Sequence, residues 1–153
     1  MNENTFENWF STAMLNSASS SVLSKSEELG AITVIVPSYG RQKFILRQFV
    51  YWAASSVDLL VIDGSPESIS EKYLEIIESF PKIRYLHLPV SISERLRLAS
   101  QLIVTDYAIM LADDEFHLFH GLHMALMSLK ERNESGDNVV GCIGQSLRFK
   151  FDI

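Results

Sequence analysis

Cysteine is all but missing from this chain: Cys142 is the only one among 153 residues. No internal disulfide can form, so a packed core has to hold the fold, and a lone thiol fits a reducing compartment. Positive charge is also scarce. Lys and Arg number 13 against 19 Asp and Glu, for a net charge of −6, and no basic cluster occurs. That argues against the electrostatic footprint of a surface for nucleic acid or anionic membrane. No apolar run approaches the roughly 20 residues of a membrane span. The start, Met1-Asn2-Glu3-Asn4, lacks the positive charge of a secretory signal, and the cytoplasm is the expected location. No Gly-x-Gly-x-x-Gly follows a strand-like run, and no loop ends in Gly-Lys-Ser/Thr, which argues against a dinucleotide Rossmann site and a P-loop. The Ser and His residues suggest no specific catalytic triad.

What is present is a globular composition, 47% hydrophobic and 21% charged, with a length that suits one domain. Residues 1–30 stand apart. Trp9, Phe10, Met14 and Leu15 would share one face of a short helix, and a Ser-rich stretch from Ser17 to Ser26 separates them from the rest. The segment reads equally as a flexible leader or as a docking helix.

From Ile32 onward, strand and helix signals alternate. Ile32–Val36, Leu59–Ile62, Ile83–Leu88 and Tyr107–Leu111 are short apolar runs. Between them lie stripes at helical spacing: Ile45, Phe49, Trp52 and Ala53; Ile69, Tyr73, Ile76, Ile77 and Phe80; Leu96, Ala99, Leu102 and Ile103. Ser68 with Glu71, and Ser91 with Glu94, have capping-box spacing. A last helix carries Leu118, Phe119, Leu122, Ala125, Leu126 and Leu129, and Val139–Ile143 is expected to be a fifth strand. The pattern predicts an α/β fold over residues 31–153, with a mostly parallel sheet of about five strands covered by helices on both faces.

Three polar clusters fall into register with that alternation. Pro37-Ser38-Tyr39-Gly40-Arg41 follows the first strand, Asp63-Gly64-Ser65 the second, and Asp113-Asp114-Glu115 the fourth. A parallel sheet puts all three at the C-terminal edge, where such folds bind ligands. Three adjacent carboxylates repel one another, and a divalent cation that also holds a phosphate is a common remedy.

These residues resemble the nucleotide-diphospho-sugar glycosyltransferases of the large family-two type, with the GT-A fold. That family opens with a strand ending in a Pro-Thr/Ser-Tyr-Asn-like turn, matched by Pro37, Ser38, Tyr39 and Gly40, with Arg41 next. Its second strand ends in Asp, often followed by Ser, matched by Asp63 and Ser65. Its fourth ends in a DXD motif, matched by Asp113 and Glu115 with Asp114 between. Ser91 to Phe116 is similar to a subgroup reading roughly Ser-x-x-Glu-Arg-Leu, then Tyr, then Ala-Asp-Asp-Asp-Phe. Gly40 departs from the usual Asn, and Glu115 from the usual Asp. The likeness runs over about residues 32–145.

The resemblance implies a metal-dependent glycosyltransferase of hexosyltransferase type, acting on a nucleotide-diphospho-sugar and an unspecified glycan or lipid-linked acceptor. It implies Mn²⁺ or Mg²⁺ on Asp113, Asp114 and Glu115, and donor contacts from Pro37, Tyr39, Arg41, Asp63 and Ser65. It also implies that these residues form the donor-binding part only. Glu131, Glu134 and Asp137 do not match the family's general base, and the catalytic residue is unidentified. An apparently truncated sheet is expected to self-associate. The alternative class is a non-catalytic nucleotide-sugar-binding remnant; both classes predict donor binding. His117, His120 and His123 recur every three residues, which spreads their rings over about a third of a helix circumference and suits rim positions better than a zinc site.

Overall fold

The computed structural model describes residues 3–16 and 26–142 and divides the chain into two compact units, residues 1–116 and 117–153. The first unit is built on a parallel sheet of four strands, β1 (Ile32–Ser38), β2 (Asp58–Asp63), β3 (Ile83–His87) and β4 (Tyr107–Met110). Their order is β3-β2-β1-β4, so the chain steps outward twice and then returns to the far side of β1. The α/β class and the parallel sheet expected from the sequence are both present.

The described residues of this unit form four helices: α1 (Glu3–Asn16), α2 (Gln42–Trp52), α3 (Glu71–Ile77) and α4 (Ile92–Ser100), with a 3-10 turn at Glu27–Ala31. Strand alternation decides which face each helix covers. Leu60 and Ile62 point to one face, where they pack with Ile35 of β1 and Ala99 of α4; Leu86, Leu96 and Ile103 close that cluster. Val61 is in register with Tyr85 on the opposite face, and the Phe49 ring of α2 meets Tyr85 edge-on at 6.2 Å. Helices therefore cover both faces. β1 and β2 are buried almost throughout, which is why they read as continuous apolar runs rather than alternating ones.

The N-terminal segment forms the helix the sequence allowed. Phe10 and Met14 are buried while Trp9 and Leu15 are exposed, and the Phe10 ring stands edge-on to Tyr73 of α3 at 5.2 Å. The Ser-rich stretch over residues 17–25 lies outside the described residues.

β1 runs through Pro37 to Ser38 rather than stopping at Val36, and three further points differ from the sequence reading. Ser70, not Ser68, is the N-cap residue of α3; the Ser68 hydroxyl instead bonds the Tyr85 phenol at 3.3 Å. At α4 the expected cap is present, with the Ser91 hydroxyl accepting from the Glu94 amide at 3.3 Å. The Glu94 side chain pairs with Arg97, so the reciprocal arm of the box is missing. The third difference is strand number. Val139–Cys142 carries no strand pairing and Val140 is 98% exposed, so the described residues contain four strands rather than five; Ile143 lies outside them. β-branched residues made this run look like a strand, but that propensity reflects fit to a half-buried surface.

In the second unit, α5 (Phe119–Glu134) buries Leu122 and Leu126. The helix ends where Gly136 adopts φ +88° and its amide bonds the Asn133 carbonyl at 3.0 Å, a turn that favours glycine. No helix among the described residues is long and apolar enough to cross a membrane.

Candidate functional site at the sheet edge

The order β3-β2-β1-β4 places β1 between β2 and β4, where the strand order reverses, the kind of switch point at which open parallel sheets bind ligands. Ser38 ends β1 there, and its hydroxyl donates to Asp113 Oδ2 at 2.6 Å. Both residues are buried. Arg41 reaches across from the start of α2 with a forked guanidinium. Its Nη1 pairs with Asp113 Oδ1 and its Nη2 with Asp114 Oδ2, each at 2.9 Å. The bond from Arg41 holds the Asp114 carboxyl below the usual carboxylate range, and Asp114 in turn raises the guanidinium's pKa.

Gln48 fixes the backbone beneath these carboxylates. Its amide nitrogen donates to the Asp113 and Glu115 carbonyls at 2.9 and 2.7 Å, while its oxygen accepts from the Trp52 indole at 2.9 Å. Glu115 is exposed and turns back on its own loop, 3.4 Å from the Ala112 amide. The extra methylene that distinguishes it from Asp permits that reach.

A second network joins the loops after β1 and β2. Asp63 is fully buried. One of its oxygens accepts from the Ser65 amide at 2.9 Å and from the Ser65 hydroxyl; the other accepts from the Tyr85 phenol at 2.8 Å. Ser65 Oγ accepts from the Gly40 amide at 2.8 Å, so Asp63 governs the β1 loop through Ser65. In this arrangement Asp63 reaches a ligand only through those partners. Burial, reinforced by Asp63, pushes the Tyr85 phenol up to about 12. It therefore stays protonated, and able to donate to Asp63, across ordinary pH.

Gly40 adopts φ +67°, the left-handed region open to glycine and, among other residues, best tolerated by Asn. That gives a physical reason for Gly standing where the resembled family usually has Asn.

Arg95 of α4 is the residue the sequence reading missed most plainly. It is 6% exposed, yet no carboxylate pairs with it in any described ion pair. Its Nη1 donates to the Ser38 carbonyl at 2.6 Å and the Ile62 carbonyl at 3.0 Å, tying the ends of β1 and β2 together. Its Nε is buried without a partner. The guanidinium presses on Gly64, where an added Cβ would lie 2.5 Å from Arg95 Cζ. A signal did exist: Arg95 stands four residues before Ala99, on the stripe that faces the core. Gln48 carried the same kind of signal on α2, as the polar member beside Ile45, Phe49 and Trp52. Ser38 was matched to a motif but assigned no role.

A cleft of about 630 Å³ lies between the β1 and β2 loops, lined by Gly40, Arg41, Lys43, Phe44, Ser65, Pro66 and Glu67. Its volume suits a small ligand. Tyr39 is 64% exposed next to Gly40, an aromatic face open to stacking. Pro37, the fifth of the expected donor residues, is half-buried within β1 and in register with Ile62, so it shapes the strand end.

The carboxylates supply hard oxygen donors on consecutive residues, the chemistry a divalent ion prefers. Their present arrangement serves Arg41 instead. Among the described residues no group of three His, Cys, Asp or Glu side chains is placed to hold an ion, and this covers both the acidic run and the three histidines. No protein-family model matches this chain, and no curated protein matches it.

Proposed function

We propose that this chain binds a nucleotide-diphospho-sugar at the C-terminal edge of its sheet and serves as the donor-binding part of a metal-dependent glycosyltransferase. The observation that carries the reading is the junction of Ser38, Arg41, Asp113 and Asp114 across the β1–β4 switch point, beside a ligand-sized cleft. Tyr39 offers a stacking face for the base, and Arg41 a fork matched to phosphate oxygens. Asp63 acts as a positioning residue by holding Ser65 against Gly40. Asp113 and Asp114, with Glu115, would hold a Mn²⁺ or Mg²⁺ ion once Arg41 leaves them. Such an ion neutralises charge that grows on a diphosphate leaving group. The acceptor proposed is a glycan or a lipid-linked molecule.

Turnover of labelled nucleotide-sugars tests this reading. With Mn²⁺, slow release of free sugar and nucleoside diphosphate is expected. Water takes the acceptor's place at the anomeric carbon, its proton passes to solvent, and the C–O bond to the diphosphate breaks. Failure both to bind and to hydrolyse UDP-, GDP- and ADP-linked hexoses would overturn it.

A further inference from the structure

The Tyr85 phenol oxygen is used to capacity. It accepts from the Ile69 amide at 3.2 Å and the Ser68 hydroxyl at 3.3 Å, and it donates to Asp63 Oδ2 at 2.8 Å. From Asp63 the chain of bonds runs outward: the Ser65 hydroxyl donates to Asp63 Oδ1 and accepts from the Gly40 amide at 2.8 Å. Every donor in this chain points toward one carboxylate, so each bond polarises the next. Asp63 is fully buried, and no cation pairs with it among the described residues. Its charge is held by three donors, the Tyr85 phenol and the amide and hydroxyl of Ser65. Removing one leaves a buried oxygen unsatisfied, and the carboxylate must turn or admit water to recover a partner. Gly40 and Ser65 both line the cleft, and the bond between them joins its two loops. Gln42 makes the other tie, to the Glu67 and Ser68 carbonyls at 3.2 and 3.1 Å. The edge-on packing of Phe49 on the Tyr85 ring is one that Phe would provide equally, so the hydroxyl is what this position adds.

We propose that Tyr85 is a positioning residue for the cleft: its hydroxyl, acting through Asp63 and Ser65, holds the Gly40 turn against the β2 loop and so sets the cleft's width. Tyr85 is not itself among the residues that line the cleft. Only the effect on UDP stated below rests on the nucleotide-sugar reading.

Amide hydrogen exchange of the full chain, read by NMR, tests this in wild type, Tyr85→Phe, Ser65→Ala and the double variant. Gly40 is exposed, so its amide owes its protection to Ser65 Oγ. The Leu111 amide, bonded to the Ile35 carbonyl at 2.9 Å on the β4 side of β1, is the reference. Tyr85→Phe should speed Gly40 exchange about tenfold, the scale of losing a hydrogen bond to a charged group. Leu111 should stay within about twofold, since the opening is local. Adding Tyr85→Phe to Ser65→Ala should change Gly40 by less than about twofold, because the link it acts through is gone. UDP should bind Tyr85→Phe about tenfold more weakly than wild type. Equal acceleration of Gly40 and Leu111 would mean that the hydroxyl supplies only general stability, and unchanged Gly40 exchange that the chain ends before the cleft; either result overturns the proposal. Gly40 released with UDP affinity unchanged overturns the claim that the turn sets the cleft's width. If Tyr85→Phe does not fold, Ser68→Ala, which removes only the outer bond to the phenol, decides instead: a smaller acceleration of Gly40 alone is expected, and none overturns the proposal. The expected Gly40 result with no UDP binding by wild type removes the nucleotide reading and leaves the positioning role standing.

Discussion

Replacing Arg95 by Met is expected to destabilise the first unit by about 2–4 kcal/mol, since each hydrogen bond from a charged donor contributes about 1.5–3 kcal/mol and two are lost. The Ser38 and Ile62 carbonyls would lose the Nη1 that joins them. Relief of the buried, unpartnered Nε offsets part of that loss. Urea unfolding followed by circular dichroism measures the change as a lower midpoint with an unchanged slope. Arg95→Lys should recover only part of the stability, because an ammonium cannot lie flat on Gly64 while reaching both carbonyls. A Met variant as stable as wild type would show that the buried cation makes no net contribution, and a more stable one that it is a net burden, as some buried charges are.

The second large effect is expected at Asp113. Asp113→Asn keeps the side-chain shape and can still accept from Ser38, but it loses the charge that pairs with Arg41 and would ligate a cation. Nucleotide affinity in Mn²⁺ should fall by about 10²-fold, equivalent to roughly 2.7 kcal/mol. Asp114→Asn should cost less, because that side chain is 46% exposed and its pair with Arg41 is screened by water. Calorimetric titration of both variants with UDP in Mn²⁺ measures the difference. Equal losses at the two positions would mean that burial of Asp113 plays no part in ligand binding.

Much of the fold was legible because the signals were periodic and agreed with one another. Val34, Val36, Leu59 and Val61 sit in strands buried on both faces, although β1 runs on through Pro37 to Ser38 and β2 includes Asp63. The shared edge followed from the parallel sheet: three polar clusters after β1, β2 and β4 had to meet at one end. The connections between those clusters were not legible. Nothing in the sequence announces an ion pair between Arg41 and Asp113, 72 positions apart, because it depends on β4 returning beside β1. Asp63 was read as a ligand contact, but its burial beneath Tyr85 and Ser65 depends on the β2–β3 register that pairs Asp63 with His87. Arg95 was overlooked because a charge inside an amphipathic helix is ordinarily solvated. The run Val139–Cys142 looked like a strand by composition alone, and composition does not supply a pairing partner.

This edge is expected to take a nucleoside diphosphate together with a divalent cation. Calorimetric titration of the wild-type chain with UDP and GDP, in Mn²⁺ and then in EDTA, tests it most directly. Saturable binding by at least one nucleotide in Mn²⁺, weakened at least about tenfold in EDTA (~1.4 kcal/mol), is the predicted result. No heat in either condition, or equal affinity in both, would contradict it.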